Sequence, residues 1–404
     1  MSDYQPWKTV DDMAEKYPDR RKNSYRKDSI DVIIPCYKAH KTLLRTLSSI
    51  ATQTVLDKIY VTLVNDNCPD GNYHEYIEMF SPFMDIREIE VTKNHGPGVA
   101  RQIGIDNGDC EYFTCIDADD TFASAIAVET LMHHLSQSPV IKCVSSVFIQ
   151  LGEEFGQIVP HQRDMVWMFG KAYRREYIEK MKVRFNRTRA NEDTGFNTWV
   201  RLLASNQNEQ VFFANETTYF WHNKEDSITR VNDGQYGYDQ CQVGWTTNMI
   251  RAAKEAKKVR PFAESIAQHG ISCMIQLYFT TIEIHERKPV FMDQIMQCAR
   301  RFYAECYKDL ERDITDGAFS EVFSMCSMER WGSGSLLGIV PYIGIKEWME
   351  EVKSEEYSED KWYDIWQALP EDLRQNNVDC GVCPAEYWIK PDPESTTADG
   401  YMIL

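Results

Sequence analysis

The fold is decided at "YFTCIDADDTF", residues 112–122. Apolar and β-prone residues run straight into three carboxylates, Asp117, Asp119 and Asp120. A buried strand ending in acids sets them at its carboxyl end, where open α/β sheets bind ligands. Carboxylates this close raise one another's pKa unless a cation neutralises them. Oxygen ligands suit a hard divalent ion, Mg2+ or Mn2+, which takes one or two carboxylates and fills its other positions with water and phosphate oxygens. The competing reading is an Asp-rich turn that only caps the next helix, since "DDTFAS" also suits a helix N-terminus.

The flanking sequence extends the pattern. "SIDVIIPCY", "KIYVTLVND" and "IREIEVT" read as buried strands. Between them, "KAHKTLLRTLSSIATQ", "YHEYIEMF" and "GPGVARQIGIDNG" read as helices, the last closed by Gly108. Strands alternating with helices predict βαβ units and a mainly parallel sheet flanked by helices. After residue 124 the order loosens. A helix over 125–136 precedes the strand "VIKCVSSVFIQ", then "WMFGKAYRREYIEK", a helix from "NEDTGFNTWVRLL", and the strands "VFFAN" and "TTYFWH". From about residue 236 the pattern is helical. Trp245, Met249, Ala252, Ala256 and Val259 share one face, and "ISCMIQLYFTTIEI" is apolar nearly all round. Three segments are expected: an arm over 1–28, an α/β domain over 29–235 whose nucleotide half runs to about 123, and a helical domain over 236–404.

Bulk composition narrows the function. A net charge of −18 disfavours a surface that binds nucleic acid or anionic lipid throughout, leaving room only for a local basic patch. The first residues lack an apolar signal core, and "SLLGIVPYIGI" is too short and broken to span a membrane. Twelve scattered cysteines in a chain of 404 residues read as reduced and mostly buried, so a cytoplasmic protein is expected. Cys36, Cys110, Cys115 and Cys143 read as small core residues.

Seven pieces, in order, carry a resemblance: "DVIIPCYK", "VNDNCPDG", "KNHGPGVARQIGID", "CIDADDTF", "WMFGKAYRREYIEK", "ANEDTGFNTWV" and "YFWHNKEDSIT". Together, over residues 29–230, they resemble the family 2 glycosyltransferases of the GT-A fold. That resemblance implies a GT-A Rossmann-like sheet, a nucleotide-sugar donor (a UDP-sugar first) and a divalent metal. It leaves the helical C-terminal segment unread.

The resemblance also assigns roles. Pro35, Cys36 and Tyr37 match the turn that holds base and ribose, and Asp66 the carboxylate at the base edge. Asn94, Gly96 and Arg101 match the segment that closes over ribose and phosphates. Asp117 and Asp119 form the D-x-D pair, Asp119 on the metal and Asp117 on the ribose or sugar. Asp193 is the candidate base and Glu192 its neighbour; both also simply suit a helix N-terminus. His222 matches a late histidine on metal or diphosphate, although a core histidine reads equally well. Gly170 and Lys171 match a turn lining the sugar pocket, or form a plain strand turn. The second-strand motif departs from the usual D-D-G-S, with Asn65 before Asp66, which bears on the base contact.

The implied chemistry is an inverting displacement: Asp193 deprotonates an acceptor hydroxyl while metal offsets charge on the leaving diphosphate. Residues 171–189 carry eight Lys or Arg against two Glu, so an anionic acceptor is expected there, unless the segment is a solvated face. A charged polysaccharide, a lipid-linked sugar or DNA would fit. Phage enzymes that glycosylate hydroxymethylated DNA bases are one such subclass. Two rivals stand beside this reading. A nucleotidyltransferase would want a Gly-rich, basic phosphate loop after the first strand, which "PCYKAHKT" lacks. An inactive nucleotide-sugar-binding module would not need both acidic motifs. "CGVC" (Cys380, Cys383) has metal-like spacing without a second pair.

Overall fold

A computed structural model describes residues 25–91, 94–152, 158–186, 188, 190–222, 235–261, 264–311, 316–332 and 334–358, with 361, 364 and 365. They fall into two compact units divided after Ser227. Most of the expected N-terminal arm, Cys380, Cys383 and the tail from Lys390 lie outside the described residues.

The first unit is built on one nine-stranded sheet. Strands β1 (Arg26–Cys36), β2 (Ile59–Asn65), β3 (Asp85–Glu90) and β4 (Cys110–Cys115) are parallel, in the order β3-β2-β1-β4. Ile30, Val32, Ile33, Ile34, Val61, Leu63, Val64 and Phe113 are wholly buried or nearly so. Such strands need apolar side chains on both faces, which is why they read as continuous apolar runs. Helix α1 (Leu43–Ala51) buries Leu43, Thr46, Leu47 and Ile50, one stripe at helical spacing. Helices α2 (His74–Phe80) and α3 (Pro97–Asn107) complete the crossovers. β1 begins at Arg26, so the last residues assigned to the arm belong to the sheet.

The second half of this unit adds β5 (Thr121–Phe122), α4 (Ala127–Ser136), β6 (Ile141–Leu151), β7 (Ile158–His161), β8 (Lys171–Arg174), α5 (Arg175–Lys180), α6 (Glu192–Leu203) and β9 (Gln210–His222). The sheet continues from β4 as β8-β6-β9-β5, with β7 on β6. β8 is antiparallel to β4 and β6, while β6 and β9 are parallel, so the sheet becomes mixed beyond β4. "VFFAN" and "TTYFWH" form the single strand β9 rather than two, because register shifts opposite Ser145–Phe148 absorb the exposed Asn215 and Glu216. The result is a mixed, mainly parallel sheet flanked by helices, with the parallel strand β4 running into the acidic turn.

The second unit is helical. It comprises α7 (Gln235–Val259), α8 (Glu264–Arg287), α9 (Met292–Phe302), α10 (Asp316–Gly332) and α11 (Ile345–Ser354). Met274, Leu277, Phe279, Phe302 and Trp348 are wholly buried in its core. The expected face of α7 is buried at Met249, Ala252 and Ala256, but Val259, its last residue, is exposed. Among the described residues, no helix is long and apolar enough to cross a membrane.

Candidate active site

The acidic turn sits between β4 and β5, at the carboxyl end of the parallel strands. Its three aspartates are not equivalent. Asp120 is buried and accepts from the Tyr219 hydroxyl at 2.6 Å and the His222 backbone N–H at 2.8 Å. Burial first, then the charges of Asp117 and Asp119, hold its carboxyl well above the usual range, and those two donors only partly offset this. Asp120 therefore anchors the turn to β9. Asp119 is half-buried, and its backbone carbonyl accepts from Arg45. The pairing of Thr121 with Phe220 brings His222 to the same turn, its Nε2 3.0 Å from the Thr121 hydroxyl.

Asp117 leads elsewhere. Its carboxylate takes a hydrogen bond from Arg101 Nη2 at 2.7 Å, while Arg101 Nη1 reaches Glu192 at 2.8 Å. Arg101 is 4% exposed within α3, so it does not reach out over ribose and phosphates as expected. Two carboxylates hold it inside. Gly98, one turn before it, lies where a Cβ would sit 2.6 Å from Glu192 Cγ, so only glycine lets α3 approach α6 this closely. Glu192 and Asp193 occupy the first turn of α6, where the helix dipole favours negative charge. Burial, then the charge of Asp193, pushes Glu192 up to about 7 against the pull of Arg101. Asp193 is half-buried, accepts from the Thr194 N–H at 2.7 Å, and is also raised by burial.

The residues expected on the nucleotide side are assembled around Asp66. Its two carboxylate oxygens accept from the backbone N–H groups of His95 and Gly96 at 2.9 and 2.8 Å. Gly96 takes φ +87° to present its amide there, a conformation that L side chains avoid. Asn94 donates to the Asp66 carbonyl at 3.2 Å. Asp66, Asn94 and Gly96 thus come together, but the Asp66 carboxylate is engaged by backbone. Pro35 is half-buried, Cys36 buried and Tyr37 exposed beside them. Asn65, the departure in the motif, fastens the loop that follows β2. It accepts from the Cys68 N–H at 2.9 Å and donates to Glu88 at 2.9 Å.

Lys171 presents no exposed side chain to a sugar. It is wholly buried, with Nζ 2.6 Å from Asp164. Other cations of the basic segment are similarly engaged. Arg175 is wholly buried, 2.7 Å from the equally buried Asp31; Arg174 lies 3.3 Å from Glu111; Arg184 pairs with Asp106. Arg187 and Arg189 lie outside the described residues. Four of the segment's eight cations are therefore paired, three of them with acids drawn from β1, β4 and α3.

The residues fit a hard divalent cation with few protein ligands. Asp119 and His222, both half-buried beside the turn, are the side chains a cation there would draw on, while Arg101 holds Asp117 and Tyr219 holds Asp120. Mg2+ and Mn2+ take a single carboxylate such as that of Asp119 readily, and the ring nitrogen of His222 is the softer donor of the two. Sequence reading missed Tyr219, whose hydroxyl also receives the Asp117 N–H at 3.2 Å, and Arg45. Tyr219 had one available signal, its place in an aromatic strand end where a buried phenol needs a polar partner.

The family model described as "Glycosyl transferase family 2" matches residues 31–201. The glycosyltransferase GlyA of Streptococcus pneumoniae is 27% identical over 260 residues, 58% of this chain and 34% of that protein. The processive diacylglycerol beta-glycosyltransferase of Mycoplasma pneumoniae is 34% identical over 97 residues, 23% of this chain and 28% of that protein. The chain thus spans about a third of the length of the first of these relatives. Among solved structures, S. aureus TarS 1–349 in complex with UDP-GlcNAc is similar at 15% identity and a TM-score of 0.49, covering 74% of this chain and 92% of that one. The mannosyltransferase PcManGT from Pyrobaculum calidifontis, in complex with GDP-Man and Mn2+, is similar at 12% identity and a TM-score of 0.44, covering 78% and 85%.

Proposed function

We propose, from the match of residues 31–201 to the glycosyl transferase family 2 model, that the protein moves a sugar from a nucleotide-sugar donor to an acceptor hydroxyl, with inversion and with help from a divalent metal. The observation that carries this reading is the Asp117–Arg101–Glu192 bridge, which joins the donor-side acid to the first turn of α6, where Asp193 sits. The Asp193 carboxylate takes the proton of the acceptor hydroxyl as that oxygen attacks the anomeric carbon. The bond from this carbon to the diphosphate breaks, and the nucleoside diphosphate leaves with the electron pair. Asp119 and His222 would hold the cation, which would supply positive charge to the departing diphosphate. Burial of Asp193 raises its proton affinity toward that of a useful base.

A UDP-sugar is the first donor to test. Base recognition at Asp66 requires the nucleotide to share or displace the His95 and Gly96 amides, so other nucleotides belong in the same screen. For the acceptor, a neutral sugar is better supported than a polyanion. Trp167, Phe169 and Trp221 form an aromatic cluster in which Phe169 stacks 5.0 Å from Tyr219, the residue that holds Asp120. Phe169 is buried in the core, but the half-buried Trp167 and Trp221 keep aromatic surface that suits the apolar face of a pyranose.

Calorimetry of UDP and GDP with Mn2+, then with EDTA, tests the donor side. Binding that needs metal in the wild type and loses that need in Asp119→Ala is expected. Equal affinity with EDTA would overturn metal-assisted donor binding. Release of nucleoside diphosphate from a panel of nucleotide sugars distinguishes a working enzyme from an inactive binding module.

A further inference from the structure

A second group of ligand-type side chains gathers where β1 and β2 open into loops. A ring nitrogen of His40, Cys68 Sγ and a carboxylate oxygen of Asp70 all lie within 4.8 Å of one another. The two loops come from different strands, so their meeting is tertiary. We propose that His40, Cys68 and Asp70 form a second cation site, one for a borderline-soft divalent ion of the Zn2+ kind, distinct from the site at Asp119.

The imidazole is prepared for this role. Nε2 of His40 lies 3.0 Å from the Asn72 carbonyl oxygen, which can only accept. In the neutral ring that nitrogen therefore carries the proton, and Nδ1 keeps its lone pair. Nδ1 is buried and has no hydrogen-bond partner among the described residues, an otherwise costly state. A metal-binding histidine characteristically donates its other N–H to a carbonyl, which fixes the tautomer and the ring. The ring is also braced by stacking on Tyr73, with centroids 4.5 Å apart.

The other ligands are suited as well. Cys68 is a free thiol, and its sulfur accepts the Lys38 N–H at 3.3 Å, so a backbone donor already faces the atom that would carry charge as thiolate. Asp70 is exposed and can close on a cation by rotating its side chain. Tetrahedral zinc, with bonds of about 2.0–2.3 Å, sets its ligands roughly 3.3–3.8 Å apart. The present separation is thus closed by small side-chain movements. Three protein ligands leave a fourth position for water. The thiolate donor selects against Mg2+ and Mn2+, so the two sites take different ions. A bound cation would pin the β1 and β2 loops together two residues beyond Asp66.

The test titrates the full chain with Co2+ in excess Mg2+, which occupies oxygen sites and leaves a thiolate site free. A thiolate-to-cobalt charge-transfer band saturating at one equivalent is expected, and Zn2+ should abolish it by displacement. Cys68→Ser should lose the band. Asp70→Asn, a change at an exposed residue that leaves folding intact, should weaken Co2+ binding about tenfold or more. Zn2+ should raise the melting temperature of the wild type more than that of Asp70→Asn. A wild type without the band, a band retained in Cys68→Ser, or unchanged affinity in Asp70→Asn would each overturn the proposal.

Discussion

Glu192 is tied to Asp117 through one buried guanidinium, that of Arg101, at 2.8 and 2.7 Å. The two acidic motifs, distant in sequence, are therefore one electrostatic unit. Neither carboxylate can lose its partner without stranding charge in a poorly hydrated place. The same guanidinium stands between the donor side of the site and the helix that carries Asp193.

Replacing Arg101 with Met should therefore destabilise the first unit by about 3–5 kcal/mol, the usual cost of breaking a buried pair from one side. Denaturant unfolding read from tryptophan fluorescence measures this. Donor affinity should fall too, because Asp117 loses the group that fixes its side chain. A loss below about 1 kcal/mol would mean that water reaches both carboxylates and that the bridge is dispensable.

Glu192 gives the pH signature. Its carboxyl is raised from 4.5 to about 7, first by burial and then by Asp193. A carboxyl raised on folding binds protons more tightly in the folded state. Its stabilising contribution is full below about pH 4.5 and disappears as pH rises through 7. Glu192→Gln lacks this proton linkage. Between pH 5 and 8 the wild type should lose stability relative to the variant, by at most about 3 kcal/mol. Melting curves across that range read the difference. A wild type that gains on the variant as pH rises would show the Arg101 ion pair winning over burial.

Much of this was readable because it is local. An apolar run entering Asp117, Asp119 and Asp120 predicts a buried strand with acids at its end, and β4 is that strand. Glu192 and Asp193 followed by an amphipathic pattern predict a helix start, and α6 begins there. What could not be read is pairing between distant elements. Arg101 lies in "GVARQIGI" among apolar neighbours, which says that it is buried but not by whom it is neutralised. Lys171 and Arg175 contribute to a basic tally, yet their partners Asp164 and Asp31 are brought close only by the assembled fold. Charge counted along a chain overstates surface charge wherever cations are buried in pairs.

That correction changes the expected acceptor behaviour. An acceptor polyanion would displace counterions, and its affinity would fall steeply with salt. With Lys171, Arg174, Arg175 and Arg184 engaged inside the fold, acceptor KM should change less than about twofold between low and physiological salt. Steady-state kinetics at two salt concentrations check this. A steep increase in KM would restore an anionic acceptor and place its contacts on basic residues outside those pairs.

Chemistry and binding should separate at Asp193. A general base acts on the acceptor proton as the new bond forms, so its removal should raise the barrier without weakening the donor complex. Asp193→Asn keeps the size of the side chain and an oxygen that can accept from the Thr194 N–H, now 2.7 Å away, so the first turn of α6 should be preserved. The amide cannot take a proton at neutral pH. We expect kcat to fall about 10²- to 10⁴-fold, the usual worth of a general base, with nucleoside diphosphate affinity within about twofold of the wild type. Single-turnover rates and calorimetry give the two numbers separately. Near-normal turnover would transfer the role of base to Glu192, whose raised carboxyl lies next in the chain and whose replacement by Gln should then abolish transfer.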